Sequence, residues 1–190
     1  ILGHYPADGL ALYEADMPAM QDGDLATIHQ PLDFFGANIY SGRYVHATSD
    51  GGIEKVLDRD QPVTAMGWPI TPEALYWAPR FFHERYHLPI VITENGMAHD
   101  DRLENGAIND QPRNDFLQSY LRHYARAIPE GVPAQGYFLW SVMDNFEWAE
   151  GYSKRFGLIH VDYASQRRTL KVSAQWYRRV IAANGGNLGP

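Results

Sequence analysis

Leu88-Pro-Ile-Val-Ile-Thr-Glu-Asn-Gly96 is an apolar run that ends abruptly in a carboxylate, an amide and a glycine. Residues 88–93 have the length and β-branched content of a strand, without the apolar/polar alternation of a sheet that has one wet face. Two other stretches read the same way: Asp33-Phe-Phe-Gly-Ala-Asn-Ile-Tyr40 upstream and Gly136-Tyr-Phe-Leu-Trp-Ser-Val142 downstream. All three are expected to be strands buried on both faces. Each ends in a polar cluster: Asn38 and Tyr40, then Glu94-Asn95-Gly96, then Asp144-Asn145-Phe146-Glu147-Trp148.

Helical spacing fills the gaps. Thr71 reads as an N-cap, with Pro72 at the first position and Glu73 in the first turn. Leu75, Ala78, Phe82 and Tyr86 share one face of that helix, and Pro79 is a point of kinking. A second helix is expected to open at Asp115, with Phe116, Leu117, Tyr120, Leu121, Tyr124 and Ile128 at helical spacing and Pro129 closing it. A last one runs from about Val172 to Ala183, with Trp176, Tyr177, Val180 and Ile181 inward and Gly185 as the stop. Strands separated by helices of this length predict right-handed βαβ units, an α/β fold with a parallel sheet. In a parallel barrel the carboxyl ends of the strands open on one face, where catalytic groups collect, so the three polar clusters should converge. Residues 1–30 read as mostly loop, residues 50–60 as an exposed loop or hairpin around Gly51-Gly52, and residues 185–190 as a flexible tail beyond one unit spanning 1–184.

Composition narrows the function. The chain has 190 residues, 45% of them apolar and 21% charged, which is globular rather than disordered. The absence of cysteine excludes a disulfide scaffold. A net charge of −7 argues against nucleic acid or an anionic membrane as partner, and no apolar run is long enough to span a bilayer. The lack of cysteine and of any Asn-x-Ser/Thr sequon favours the cytoplasm. Position 1 is Ile and no basic-then-apolar leader follows, so the chain is expected to be processed or excerpted from something longer.

On local sequence alone, Glu94 has a plain alternative as a solvated residue before an Asn-Gly turn, and Trp140 and Trp148 as core packing. Carboxylates interleaved with Trp140, Phe146 and Trp148 fit a sugar better. Aromatic faces stack on the C–H faces of the ring, and acceptor oxygens bind its hydroxyls.

The segments Asp33–Tyr40, Met66-Gly-Trp-Pro69, Ile92-Thr-Glu-Asn-Gly96, Gly136–Trp148 and Arg155-Phe-Gly-Leu-Ile-His-Val-Asp162 resemble, in order, the carboxyl-terminal portion of a family 1 glycoside hydrolase. The resemblance implies the last part, about strands six to eight, of a (β/α)8 TIM barrel. The implied reaction is that of a retaining β-glucosidase, removing terminal β-D-glucosyl residues by double displacement through two glutamates roughly 5–5.5 Å apart. It places Glu94 as nucleophile, Tyr40 as the hydroxyl that orients it, and Asn38 as a neighbouring polar group. Glu147 and Trp148 would bind sugar hydroxyls, with Trp140 as stacking floor, Phe156 bearing on substrate class and Trp68 toward the aglycone. Asp144 becomes structural. Relatives acting on 6-phosphorylated sugars replace the Glu147 position with a small hydroxyl residue and the Phe156 position with Tyr. Lys154 would suit a phosphate, but Glu147 would repel it, so an unphosphorylated sugar is expected. No cofactor or metal is implied.

Ile39, His160 and Leu170 depart from the family's usual aromatic, Tyr and Pro. The larger departure is that no Asn-Glu-Pro segment occurs, so the acid/base glutamate is missing and the isolated chain is expected to be inactive. General acid help is worth roughly 10²–10⁴-fold. The missing N-terminal half of the barrel, in cis or in trans, is then a required partner, and a sugar-binding or assembly fragment is the alternative function. A remote alternative is a zinc protease, because His83-Glu84-Arg85-Tyr86-His87 carries two imidazoles at i and i+4 with a glutamate between. Preference among glucoside, galactoside and fucoside, the aglycone and the oligomeric state are not encoded in these residues.

Overall fold

The computed structural model describes residues 1–56 and 60–189. In chain order its elements are α1 (Ala7–Leu12), α2 (Asp24–Ile28), β1 (Phe35–Asn38), β2 (Val45–Ala47), β3 (Ile53–Lys55) and α3 (Ala74–Tyr86). Then come β4 (Ile90–Asn95), β5 (Leu103–Glu104), β6 (Ala107–Ile108), α4 (Gln111–Ala127), β7 (Ala134–Leu139), β8 (Ile159–Val161), β9 (Arg168–Leu170) and α5 (Val172–Ala182). A single 3₁₀ turn, Trp148–Glu150, follows β7.

The centre is a parallel sheet in the order β1-β4-β7, joined by α3 and α4, which is the expected βαβαβ succession. Phe35 lies opposite Ile90 and Ala37 opposite Ile92, while Val91 faces Gly136 and Ile92 faces Tyr137. Leu75, Tyr76, Phe116, Leu117, Tyr120 and Tyr124 pack on Ile90 and Ile92 to form the core. Each such aliphatic or aromatic side chain contributes about 1.5–3 kcal/mol when fully buried. Polar tips are satisfied within it. The Tyr120 hydroxyl accepts from Thr71 N at 2.8 Å and donates to Tyr40 O at 3.1 Å, and the Tyr124 hydroxyl reaches Ile90 O at 3.0 Å.

Several expectations need correction. Only the central strand β4 is largely buried, with Thr93 and Glu94 partly open; β1 and β7 each pair with one strand, and Phe34 and Phe138 beside or within them are exposed, Phe138 by 62%. The apolar runs are there, but among the described residues nothing covers their outer flanks. Thr71 does not cap α3: its hydroxyl accepts from Gly42 N at 2.6 Å, the chain passes through a turn, and the helix starts at Ala74. Pro79 lies inside the helix as expected. The second helix opens at Gln111, with a proline in its first turn, rather than at Asp115. Ile128, which ends α4, is 51% exposed, and Ile181 is 63% exposed instead of inward because Val180 beside it takes the face of α5 that packs on Leu121 and Leu188. Residues 1–30 contain the short helices α1 and α2, neither of which buries a residue, so they lack the apolar stripe that would have marked them.

Within residues 50–60, β3 pairs with β2 as the expected hairpin, while 57–59 lie outside the described residues. The chain after α5 runs back along α4, where Leu188 O accepts from Arg122 Nε at 2.6 Å and Gln118 Nε2 at 3.1 Å. Residue 190, the end of the expected tail, lies outside the described residues. No helix among the described residues is long and apolar enough to cross a membrane.

Candidate active site

The carboxyl ends of β1, β4 and β7 are knitted together by Asn95. This fully buried amide donates to Ile39 O at 2.9 Å and accepts from the Tyr137 hydroxyl at 2.6 Å, so one side chain of the middle strand holds both neighbours. The backbone reinforces it: Ile39 N donates to Glu94 O and Trp140 N to Asn95 O, each at 2.9 Å. Register shifts fall between Ala37 and Asn38 on β1 and between Ile92 and Asn95 on β4. Irregularities of this kind re-aim side chains near functional sites, and Glu94 is the residue re-aimed here.

Glu94 turns into a cleft of about 440 Å³ that it shares with Tyr40, Met66, Trp68, Trp140, Glu147, Trp148 and Phe156. The Tyr40 hydroxyl donates to Glu94 Oε2 at 2.7 Å. Burial, first, and then that bond and the charges of Glu94 and Glu147 push the Tyr40 hydroxyl far above its ordinary value, so it stays a donor. Opposite, Trp140 Nε1 donates to Glu147 Oε2 at 3.3 Å. Tyr40, Trp68 and Phe156 pack edge-on or tilted, at 5.2–6.2 Å between centroids, into one aromatic wall. Trp148, with positive φ in its 3₁₀ turn, leaves 81% of its surface exposed at the rim. Three carboxylates, Glu94, Glu147 and Glu150, and five aromatic side chains around a concave space can bind a polyhydroxylated ring by its hydroxyls and by its C–H faces, and Glu94 is a carboxylate able to act as a nucleophile.

Of the expected site residues, Glu94, Tyr40, Glu147, Trp140, Trp148, Phe156 and Trp68 therefore meet in one cleft. Asn38 does not line it; its Oδ1 accepts from Thr93 Oγ1 at 2.6 Å on the flank of the sheet. Asn145 bonds to Ser141 Oγ and Met143 O and is turned away from the cleft. Lys154, considered for a phosphate, spends its ammonium on Ala65 O at 2.7 Å. The zinc alternative loses its geometry: His87 lies past the end of α3 at φ 56°, and His83 Nδ1 faces Leu88 O at 3.0 Å. Among the described residues no group of three His, Cys, Asp or Glu could hold a metal ion.

Sequence reasoning missed what lies behind the cleft. Asp101, Asp110 and Asp144 meet Arg113, Lys171 and Arg155 in a buried network of three acids and three bases. Burial alone would raise the Asp101 carboxyl, but Arg113 and Lys171 outweigh it and hold it below the usual range. These residues are scattered over 70 positions, and only a Lys with apolar neighbours on either side, Leu170-Lys171-Val172, hinted that a charge was buried.

A family model, Glycosyl hydrolase family 1, matches residues 1–186. Beta-glucosidase A of Thermotoga maritima is 45% identical over 186 residues, covering 96% of this chain and 42% of that relative. A beta-glucosidase of Agrobacterium sp. is 43% identical over 181 residues, 92% of this chain and 39% of its own length. A 6-phospho-beta-galactosidase of Clostridium acetobutylicum is more distant, at 35% over 184 residues. The solved structure of the T. maritima beta-glucosidase in complex with deoxynojirimycin superposes with a TM-score of 0.87 at 44% identity, over 97% of this chain and 42% of that one. The chain thus spans about two fifths of the length of these relatives.

Proposed function

Because the chain belongs to glycosyl hydrolase family 1, whose model it matches from residue 1 to 186, we propose that it is the closing portion of a (β/α)8 barrel that hydrolyses β-glucosides with retention. β1, β4 and β7 are then the sixth, seventh and eighth strands of that barrel. Glu94 attacks the anomeric carbon, the glycosidic C–O bond breaks as the leaving oxygen takes a proton from the acid/base carboxyl, and water activated by that same carboxylate then hydrolyses the glycosyl-enzyme to free sugar and Glu94. Tyr40 holds one carboxylate oxygen by its 2.7 Å hydrogen bond and leaves the other for attack. Glu147 accepts sugar hydroxyls, braced by the Trp140 indole, Trp140 stacks beneath the ring, and Trp148 closes the rim. Trp68 lies toward the leaving group, and Phe156 packs beside it at the position that bears on substrate class.

The acid/base carboxyl comes from the upstream part of the barrel, since no Asn-Glu-Pro segment occurs in these 190 residues. The open flanks of β1 and β7 are where that part pairs, in cis or in trans. An unphosphorylated sugar is favoured by the Glu147 carboxylate and by the engagement of Lys154 with Ala65.

The observation that carries this reading is the meeting of the Tyr40–Glu94 pair with Glu147, Trp140 and Trp148 in one cleft. It is tested by assaying aryl β-glucoside hydrolysis by the chain alone and together with the upstream part of the barrel. Turnover is expected only in the second case and is lost in Glu94→Gln. Ordinary glycosidase rates from the chain alone contradict the reading.

The second reading, a sugar-binding or assembly fragment, is favoured by the exposed apolar residues on the sheet flanks, Phe34 and Phe138. It predicts sugar binding with no turnover even after the upstream part is added.

A further inference from the structure

Lys171 touches no part of the cleft, yet it is the point at which the segment that continues from Glu94 meets the segment that leads into Glu147. Its side chain is completely buried; Nζ lies 2.5 Å from Asp101 Oδ2 and 2.8 Å from Asp144 Oδ1. Asp101 belongs to the chain that continues from Glu94, and Asp144 precedes Glu147 by three residues.

Asp144 passes the constraint onward. Besides Lys171 it accepts from Arg155 Nη1 at 2.6 Å, Gly157 N at 3.0 Å and Val161 N at 3.3 Å. Two of these donors bracket Phe156, which is only 2% exposed and packs on Tyr40, the donor to Glu94. Gly157 is required there: a Cβ would stand 2.1 Å from Asp144 N and 2.3 Å from Met143 C. On the other side, Asp101 receives Arg113 Nη2 at 2.9 Å, and Arg113 also donates to Met97 O and Arg155 O. Asp110 neutralises the far side of Arg113 and anchors Ser173 at the start of α5.

We propose that Lys171 is a positioning residue for the glycosidase site: its ammonium pins the loop after β4 to the loop after β7 and so fixes Glu147 relative to Glu94. The inference rests on the reading of the cleft given above. Two carboxylates converging on one buried cation make the spacing stiff: Arg113 and Arg155 would still neutralise Asp101 and Asp144, but moving either loop takes one carboxylate away from an ammonium that is buried from water. A hydrophobic residue of similar length fills the same volume but exerts no pull on either carboxylate.

The test is a double-mutant cycle in the assembled barrel, with Lys171→Met and Glu147→Gln measured singly and together on an aryl β-glucoside. If Lys171 acts through Glu147, Lys171→Met lowers kcat/KM by about thirtyfold in the parent and by less than about threefold in the Glu147→Gln background. An equal factor in both backgrounds overturns the proposal, because a merely structural role is indifferent to Glu147. Should Lys171→Met fail to fold, the charge-balanced pair Lys171→Met with Asp101→Asn takes its place in the same cycle. Absence of turnover in the parent assembly overturns the functional reading instead, so the two failures are distinct.

Discussion

The Tyr40 hydroxyl and Glu94 Oε2 stand 2.7 Å apart although 54 residues separate them in the chain. The contact exists because β1 and β4 are parallel neighbours and both strands shift register just before their carboxyl ends. A donor on one carboxylate oxygen fixes the rotamer of Glu94.

Tyr40→Phe removes that donor while keeping the ring that packs on Trp68 and Phe156. A hydrogen bond to a charged group is worth about 1.5–3 kcal/mol, so kcat/KM on an aryl β-glucoside should fall about 10- to 100-fold in the assembled barrel. The loss should lie in kcat more than in KM, because the carboxylate must be held most firmly in the transition state. Steady-state kinetics decides it; an unchanged kcat would mean that Tyr40 does not act on Glu94.

His160 gives the fold a pH dependence. It is buried in β8, and burial first, then the nearby Arg155 cation, depress its imidazole below the ordinary 6.5, with Asp144 opposing. A depressed value means that the unfolded chain takes up the proton first. Stability is therefore full above about pH 6.5 and falls as the pH drops through the lower folded value. Thermal melts should show a falling Tm from about pH 7 to about pH 5, and His160→Phe should flatten that slope. The same slope in both proteins would assign it to other groups.

Gly96 is a backbone requirement. A Cβ there would stand 1.9 Å from Trp140 O, so the turn after Glu94 passes too close to β7's end for any side chain. Gly96→Ala should cost at least about 1–3 kcal/mol, seen as a lower denaturant midpoint at unchanged slope. The Glu147–Trp140 bond lies beside this contact, and the sugar floor should be displaced with it. A midpoint equal to that of the parent would show that the backbone relaxes freely.

How much of this was legible in the sequence varies by kind. The three strands, the helices between them and the convergence of Tyr40, Glu94, Glu147, Trp140 and Trp148 followed from apolar runs that end in polar clusters, whereas Trp68 and Phe156 were placed only by the family resemblance. Helix starts were less legible: Thr71 has cap chemistry but is used by Gly42, and Gln111 opens α4 four residues before the expected start at Asp115. Helices α1 and α2 bury nothing and so leave no apolar period to read. The Lys171 network was barely legible, because its members lie far apart in sequence and carry no spacing rule; the structural role of Asp144, implied by the resemblance, pointed to it. Asp144 and Asn145 look alike beside Glu147 in a sugar-binding sequence, yet one is buried under two cations and the other is bonded back to its own loop.

The central claim is that Glu94 of this chain is the nucleophile of a retaining glycosidase completed by an upstream part. Trapping tests it most directly: the assembled protein is incubated with a 2-deoxy-2-fluoro aryl β-glucoside, which slows deglycosylation, and the intact mass and peptide map are read. One fluoroglycosyl group on Glu94, absent in Glu94→Gln and absent from the chain alone, is the predicted result. Label on another residue, or hydrolysis that persists in Glu94→Gln, would contradict it.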